Sequence, residues 1–530
     1  MHSAVRLTPS AVAHRLLGWL LPAGVVLLTV VLPRIAPLSS LPTTDEGYMA
    51  YIAMRMHDVL AASLRLPDEG PLMFYPALTS WAFGLDGNAL VTLRVTDMVV
   101  AAVASLLFLR VMTRESRSLL LGCAIGGLFL WTMNDASFVQ AGYKNSYFAA
   151  YIPLFSALLL AQAGLPRSGG RWRWLAVGAL VAAGILLRET LAPFALVGAL
   201  AVWAREGRRA ALQFCVGGLA FGAFTLALML ALRGGVHGLV AAYQGAGMIY
   251  AAIADQRHQL FVDAVHTSVR ISASALWLTG IGIIGAVAIR LVQRSHADLG
   301  RALFWLACAL VALIEPVTKI GFPYHFSVCL PGLAGLCALS WRIIAERVGE
   351  TRKSLLLCVG SVLIALLFLT PAYRLLAPLP QATRAAVDAQ RHGWSDEATA
   401  QSNYLLSARL VREATPPGGT ASISGFMFSI YPLSGTLPPS AQLNNLTGAA
   451  IHFRQDSGLL AQALRECSPD VIMTTTRTDW PASASIVRAV EATGLYKPVG
   501  EVPNDPARSY GNFGGTVYRR TGPGGSHCKP

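Results

Sequence analysis

The sequence has 530 residues, of which 54% are hydrophobic and 13% are charged, and its mean hydropathy is +0.51. These values exclude an ordinary soluble domain and predict an integral membrane protein in contact with the lipid bilayer. The net charge of +14 does not indicate a nucleic-acid partner, because the basic residues are spaced between apolar runs. They indicate membrane topology.

Apolar runs of nearly membrane-spanning length recur from residue 16 to residue 371. Arg6 and Arg15 precede the first run, and because no small-residue cleavage site follows it, the sequence predicts a retained first span. Basic clusters between the runs mark inner loops, since short basic loops stay in the cytoplasm. With the N-terminus inside, the prediction is about 11 transmembrane helices, at residues 16–32, 91–110, 118–133, 147–163, 174–187, 190–204, 210–232, 271–290, 302–315, 324–341 and 354–371. An odd number of spans places the C-terminal part outside.

The sequence changes character after residue 371. Predicted helices near 397–414, 457–466 and 483–493 alternate there with predicted strands near 420–425, 470–476, 496–502 and 515–519. We therefore expect a membrane module over 1–372, with an outer first loop at 33–90, and a soluble α/β domain over 373–530 with a disordered tail. Cys467 and Cys528 fall in this domain, where an oxidising compartment favours a disulfide between them.

Two adjacent acids, Asp45 and Glu46, lie in the predicted first loop within the segment TTDEGYMAYIAMR. Thr43 and Glu46 fit the S/T-x-x-E capping box, which predicts that a helix begins here. Capping gives Glu46 a structural role. It gives none to Asp45, which is left for another role.

Three predicted outer turns each contain a cation close to an acid. Lys144 follows Asp135 in NDASFVQAGYKNSY, Arg188 precedes Glu189, and Lys319 follows Glu315 in EPVTKIGFPYH. Cations are disfavoured on the outer side, and charges at the membrane edge are often functional, so the three turns predict an anion site. Local pairing of each cation with its acid is the structural alternative.

Nucleotide-binding motifs are missing from the sequence. The match GIGIIG at 280–285 lies inside an apolar run with no preceding strand, and neither a Walker motif nor Cys/His metal spacing occurs. An activated donor would therefore have to arrive in the lipid, as a polyprenyl phosphate.

A series of segments resembles the GT-C superfamily of membrane glycosyltransferases, nearest to the protein O-mannosyltransferase and aminoarabinose transferase type. The segments are TTDEGYMAYIAMR, GPLMFYPALTSWAFG, LVTLRVTDMVVA, YKNSYF, AGILLRETLAPFAL and PYHFSVCLPGLAGL, and the resemblance covers residues 16–371. It implies a membrane-embedded helical fold, an essential Asp in the outer first loop and a polyprenyl-phosphate-linked sugar donor. One segment departs from the pattern, because many relatives read Lys-Pro-Pro-Leu where this chain reads Glu69-Gly70-Pro71-Leu72.

The resemblance also implies roles for single residues. Its chemistry needs a base for the acceptor hydroxyl and positive charge for the departing phosphate. The catalytic candidates are Asp45, as the base, and Glu46, which either caps the helix or orients the acceptor. The remaining candidates are Arg188, Lys319, Lys144 and Arg94 for the donor phosphate and Tyr48, Glu69 and His325 for substrate. The reaction demands no metal or other cofactor, although Asp45, Glu46, Asp68 and Glu69 can supply oxygen ligands to a divalent ion.

The resulting prediction is an inverting hexosyl- or pentosyltransferase of a bacterial inner membrane, active on the periplasmic side toward a cell-envelope glycan, lipid or protein. The alternative is a lipid-linked saccharide flippase or other transporter, which should show ionisable residues near span centres and related halves. The charges here lie at the span ends and no repeat is visible. An inactive scaffold with the same fold is the third interpretation.

Overall fold

The computed structural model describes residues 9–522 except 63–73, 140–145, 164–169, 234–235, 237–239, 241–256, 294–295, 297, 319–321, 348–353, 355–356, 363–364, 367–368, 370–375, 377, 426, 441–442, 477–481 and 505–513. The described residues are mostly helical and fold into two compact units. The first unit comprises Met1–Pro37, Thr96–Thr225 and Arg257–Thr383. The second comprises Leu38–Val95, Leu226–Gln256 and Arg384–Pro530.

The described helices up to the end of the apolar part are α1 (Pro9–Val26), α2 (Leu32–Ile35), α3 (Thr44–Ala62), α4 (Phe74–Thr79), α5 (Ala89–Ser116), α6 (Leu119–Met133), α7 (Ala136–Val139), α8 (Ser146–Gln162), α9 (Gly170–Leu187), α10 (Pro193–Glu206), α11 (Arg208–Arg233), α12 (Arg257–Gln293), α13 (Leu299–Ala312), α14 (Ile314–Thr318), α15 (Pro323–Phe326) and α16 (Leu330–Arg347). A π-helical segment, Leu27–Val31, joins α1 to α2.

Six of these helical stretches are long and apolar enough to cross a membrane, judged by length and composition: Leu17–Ser39, Ala89–Ser116, Arg208–Ala231, Arg257–Gln293, Leu299–Thr318 and Pro323–Arg347. Shorter apolar helices cover Leu119–Met133, Tyr147–Gln162 and Trp172–Leu187. Every predicted span up to 324–341 overlaps a described helix, which confirms the polytopic helical class. The span predicted at 354–371 lies largely outside the described residues, so the count of eleven stays a prediction.

The sequence predicts two short helices over 174–204, and the structure confirms them. The first, α9, ends at Leu187, and Arg188 has an extended backbone with φ −150° and ψ 97°. A 3-10 turn follows, and Pro193 opens α10. Proline suits the first position of a helix, because the N–H that it lacks would have no partner there. Arg188 therefore lies in a connection between two apolar helices.

Close packing of helices in the first unit depends on glycine. A Cβ at Gly332 of α16 would lie 2.5 Å from the backbone nitrogen of Ala309, and one at Gly335 would lie 2.1 Å from the Trp305 ring. Both contacts are far too short, so only glycine lets α16 approach α13 at this distance. α16 is buried along most of its length, as expected for a helix that packs on several sides.

The second unit contains the C-terminal elements α17 (Leu379–His392, which begins in the first unit), α18 (Asp396–Gln401), α19 (Asn403–Ala414), β1 (Ala421–Ile423), α20 (Ile430–Ser434), α21 (Leu446–His452), α22 (Ser457–Glu466), β2 (Val471–Met473), α23 (Ser483–Thr493), β3 (Tyr496–Val502) and β4 (Gly515–Arg520). The strand order is β1-β2-β4-β3, with β1 parallel to β2 and the other pairs antiparallel. This confirms the small α/β fold.

One detail differs from the sequence predictions. The helix predicted over 397–414 is two helices, because the extended Ser402 interrupts it and its hydroxyl accepts a hydrogen bond from the Leu405 N–H to cap α19. The described residues of Leu38–Val95 belong to the same compact unit as the α/β fold, and the predicted domain boundary at residue 372 stays a prediction.

Cys467 is disulfide-bonded, whereas Cys123, Cys215, Cys308, Cys329, Cys337 and Cys358 are free thiols. Cys528 lies outside the described residues, so the pairing of Cys467 with Cys528 stays a prediction.

Candidate active site

A buried carboxylate, Glu315, accepts hydrogen bonds from two separate parts of the first unit. The Tyr147 hydroxyl donates to Oε1 at 2.7 Å, and the Thr190 hydroxyl donates to Oε2 at 2.7 Å. Arg188 Nη2 forms an ion pair with Oε1. These residues come from all three turns in which the sequence predicts an anion site. The turns therefore contribute side chains to one cluster.

Arg188 is held in this cluster by charge and by an aromatic ring. Its side chain is only 10% exposed, and its guanidinium carbon lies 3.9 Å from the centroid of the Tyr147 ring. Nη2 also donates to the Tyr147 hydroxyl at 2.6 Å. The pairing between Arg188 and Glu315 joins residues 127 positions apart, so it is not the local pairing that the sequence suggests as an alternative.

His325, a predicted substrate-binding residue, belongs to the same cluster. Its ring is buried, and Nδ1 accepts a hydrogen bond from the Phe322 N–H at 3.2 Å. In the neutral ring the proton must therefore be on Nε2. That nitrogen lies 3.9 Å from Glu315 Oε1. His325 and Arg188 thus approach the same carboxylate.

A second buried ion pair lies in the second unit, between Glu46 of α3 and Arg94 of α5. Arg94 Nε and Nη2 donate to the two Glu46 oxygens at 2.5 and 2.8 Å. Arg94 Nη1 donates to the carbonyls of Leu38 and Ser40 at 2.9 and 2.7 Å. The Thr43 N–H donates to Glu46 at 3.3 Å, as half of the predicted capping box. Two predicted site residues therefore pair with each other.

The other predicted residues are described only in part. Asp45 lies in the first turn of α3, but its side chain is outside the described part of the structure. Tyr48 of α3 is half-buried, and its ring packs edge-on against Phe428 with centroids 5.0 Å apart. Lys144, Lys319, Asp68 and Glu69 lie outside the described residues.

The sequence interpretation missed Tyr147 and Thr190, and it also missed Arg34. Arg34 is 1% exposed, and its Nε and Nη2 donate to Asn134 Oδ1 at 2.9 and 2.7 Å. Its guanidinium carbon lies 5.2 Å from the centroid of the Phe148 ring. The sequence could have indicated Arg34, because this cation follows the first predicted span on its outer side. Cations are disfavoured on that side, which is the reason for selecting the three turns.

Within the described residues, no group of three or more His, Cys, Asp or Glu side chains could hold a metal ion. Of the acids predicted to be able to supply oxygen ligands, the side chain of Glu46 is the one described, and both of its oxygens are bonded to Arg94.

Comparison of the sequence with known proteins finds no matching family model and no matching curated protein. Solved structures do match. The chain is similar to the oligosaccharyltransferase of Archaeoglobus fulgidus tethered with an acceptor peptide, with a TM-score of 0.54, 13% identity and coverage of 95% of this chain and 74% of that one. It is also similar to ArnT from Cupriavidus metallidurans bound to undecaprenyl phosphate, with a TM-score of 0.50, 14% identity and coverage of 94% and 98%.

The chain has a GT-C fold. This confirms the fold that the resemblance to membrane glycosyltransferases implies. At identities of 13% and 14%, this likeness concerns the fold alone.

Proposed function

We propose that the chain is a membrane glycosyltransferase that moves a sugar from a polyprenyl-phosphate-linked donor to a cell-envelope acceptor. The GT-C fold is the observation that carries this proposal. A structure with this fold, ArnT, binds undecaprenyl phosphate, and another, the archaeal oligosaccharyltransferase, is tethered with an acceptor peptide. The apolar helices of the first unit are consistent with a donor that is itself embedded in lipid.

The reaction is a displacement at the anomeric carbon of the donor sugar. The acceptor hydroxyl loses its proton to a base, its oxygen bonds to the anomeric carbon, and the bond from that carbon to the phosphate oxygen breaks. The polyprenyl phosphate leaves with the electron pair. Such a step needs a placed base and positive charge near the departing phosphate.

Arg188 is our candidate for the phosphate contact. A guanidinium offers a planar pair of N–H donors that matches two phosphate oxygens. Glu315 stabilises the charge of Arg188 in its buried position, and the ring and hydroxyl of Tyr147 restrict its orientation. Lys144 and Lys319 belong to the same predicted turns. We assign them the supporting role of supplying further positive charge to the donor phosphate.

His325 is assigned a supporting contact to the same group. Its Nε2 lies 3.9 Å from Glu315 Oε1, and in the neutral ring this nitrogen has the N–H that can donate a hydrogen bond beside Arg188. A buried imidazole with one nitrogen already fixed by a backbone N–H has a defined orientation, which is what a substrate contact requires.

Asp45 is assigned the role of base. Adjacent residues on a helix point about 100° apart, so Asp45 and Glu46 cannot serve one role together. Both Glu46 oxygens are bonded to Arg94, which supports a positioning role for this pair at the start of α3. Of the two acids, Asp45 is therefore the one assigned to the acceptor hydroxyl.

We further propose that the protein lies in a bacterial inner membrane, with the α/β domain on the periplasmic side. A reporter that is active only in the periplasm, fused after Pro530, should be active. Activity of a reporter restricted to the cytoplasm at the same position would contradict this topology.

Mass analysis of envelope glycans, lipids and glycoproteins in a deletion strain tests the function. In the deletion strain, we expect one class of envelope molecule to lack the mass of a sugar unit. Expression of the wild-type protein in that strain should restore this mass. Purified protein in vesicles that contain a polyprenyl-phosphate sugar should release polyprenyl phosphate when the affected acceptor is added. An unchanged envelope and no donor consumption would overturn the proposal.

A further inference from the structure

The first turn of α3 lies directly against a turn of the α/β fold within the second unit. An ideal Cβ at Gly47 would lie 1.9 Å from Ser429 Oγ, 2.5 Å from Ser429 N and 2.7 Å from Ser429 Cα. No side chain fits in this space, because real Cβ atoms do not approach backbone atoms so closely. The Ser429 hydroxyl also donates to the carbonyl of Thr43 at 3.0 Å. The two segments are 386 positions apart in the chain.

Aromatic rings extend this contact along α3. Tyr51 stacks on Phe428 with centroids 5.4 Å apart and lies 4.7 Å from the ring of Tyr431. Tyr51 and Tyr431 are fully buried. Rings that pack in this way stabilise a contact beyond the effect of the apolar area that they bury. The contact is therefore part of a core rather than a surface encounter.

The turn itself is attached to the sheet. The Tyr431 hydroxyl donates to the Asn444 carbonyl at 2.6 Å and accepts a hydrogen bond from the Ile423 N–H at 3.2 Å. Ile423 is the last residue of β1 and is buried. Hydrogen bonds and packed rings thus connect β1 to α3.

Glycine at position 47 is unfavourable for the helix alone. Within a helix, glycine is less favourable than alanine, because it loses more conformational freedom on folding. Gly47 nevertheless lies in the first turn of α3, next to Glu46 and two residues after Asp45. The close approach of the Ser429 backbone gives the physical reason for a glycine here.

We propose that the segment 427–431 positions the first turn of α3 for the reaction, and that Gly47 and Ser429 are positioning residues. This rests on the proposed function, in which that turn contains the base Asp45. The α/β domain then belongs to the catalytic apparatus.

Gly47→Ala tests this inference, with Gly448→Ala as its matched control. At Gly448 the nearest atoms to an ideal Cβ lie at 3.9 Å, which is ordinary contact. Because a displacement of 1 Å can lower a rate by about 10²-fold, we expect Gly47→Ala to lower kcat by roughly 10- to 100-fold with the donor KM unchanged. Ser429→Ala should lower kcat less, since it removes a hydrogen bond and leaves the close backbone contact. Gly448→Ala should match the wild type.

Hydrogen exchange of the first turn of α3 provides a readout without activity. We expect faster exchange in Gly47→Ala and Ser429→Ala, and wild-type exchange in Gly448→Ala. Unchanged exchange in Gly47→Ala would overturn the contact. Faster exchange with wild-type kcat, or a loss of folded protein with normal kcat in the folded fraction, would overturn the positioning role. An inactive wild-type protein would instead refute the proposed function on which that role rests, whatever the exchange shows.

Discussion

Each of the two units buries an arginine–glutamate pair, and the two pairs differ in their other partners. Arg94 donates to both oxygens of Glu46 and to two backbone carbonyls. Arg188 shares Glu315 with the hydroxyls of Tyr147 and Thr190, and a histidine ring lies nearby. Arg94 thus bonds to the backbone as well as to Glu46, whereas Glu315 bonds to hydroxyl side chains as well as to Arg188.

This difference separates a structural role from a functional one. Backbone carbonyls can neither titrate nor rotate away, so the bonds of Arg94 tie α5 to the segment before α3. Hydroxyl and imidazole groups can change their partners when a charged ligand arrives. We therefore expect the pair of Glu46 and Arg94 to govern folding, and the pair of Arg188 and Glu315 to govern donor binding.

Arg94→Ala should have the largest effect on stability. It leaves the Glu46 carboxylate buried without its cation, and breaking a buried pair typically costs about 3–5 kcal/mol. Thermal unfolding in detergent measures the loss. Arg409→Ala is the control, because its pair with Asp396 in the same unit is exposed to solvent and should contribute little to stability. Equal, small losses in both variants would remove the structural role.

Arg188→Lys should weaken donor binding and leave the fold intact. Lysine keeps a positive charge beside Glu315 but cannot form two parallel hydrogen bonds with a phosphate. We expect a rise in Kd for polyprenyl phosphate of about 10-fold, or roughly 1.4 kcal/mol. Arg94→Lys is the control and should change stability more than Kd. Donor affinity unchanged by Arg188→Lys and lowered by Arg94→Lys would reverse the comparison.

Asp298 forms partly exposed ion pairs outside the predicted spans, which can be compared with the two buried arginine–glutamate pairs. Its carboxylate accepts hydrogen bonds from Arg342 at 2.5 Å and Arg290 at 2.7 Å. Burial alone would raise the pKa of Asp298, but the bonds to Arg342 and Arg290 bring the pKa below its ordinary value of 3.8. The ion pairs therefore stabilise the fold above that pH, and this stability is lost as the pH falls through the lowered pKa.

Asp298→Asn should consequently lower stability by about 1 kcal/mol at pH 7. Asparagine tolerates the left-handed backbone of this residue, with φ 71°, so the substitution tests the charge. The difference from wild type in thermal unfolding should stay constant down to pH 3.8 and shrink below it. A difference that grows as the pH falls would contradict the assignment.

The sequence predicts those structural features that depend on residues close together in the chain. The helix start at Thr43 and Glu46, the break at Arg188 and the strand Tyr496–Val502 all follow from local patterns. The capping box, for example, needs residues only three positions apart. Such features are specified by a few adjacent side chains.

The partners of the site residues are not local. Arg94 pairs with Glu46 across 48 positions, and Ser429 bonds to Thr43 across 386. Capping and helix-pair rules reach only three or four residues, so they cannot identify these partners. Local rules therefore explain Glu46 by its cap and miss its stronger bond to Arg94.

The central claim is that two adjacent acids of α3 have different roles, with Glu46 structural and Asp45 the base. Asp45→Asn keeps the shape of the side chain and removes its basicity. Sugar transfer by purified protein in donor-containing vesicles is the most direct test, with Asp86→Asn, an exposed acid of the same unit, as the control. We predict that Asp45→Asn lowers turnover by about 10²–10⁴-fold while thermal stability and donor binding match the wild type and Asp86→Asn remains active. Transfer at near the wild-type rate by Asp45→Asn would contradict the account and direct the search for the base to Asp68, Glu69 or Asp135.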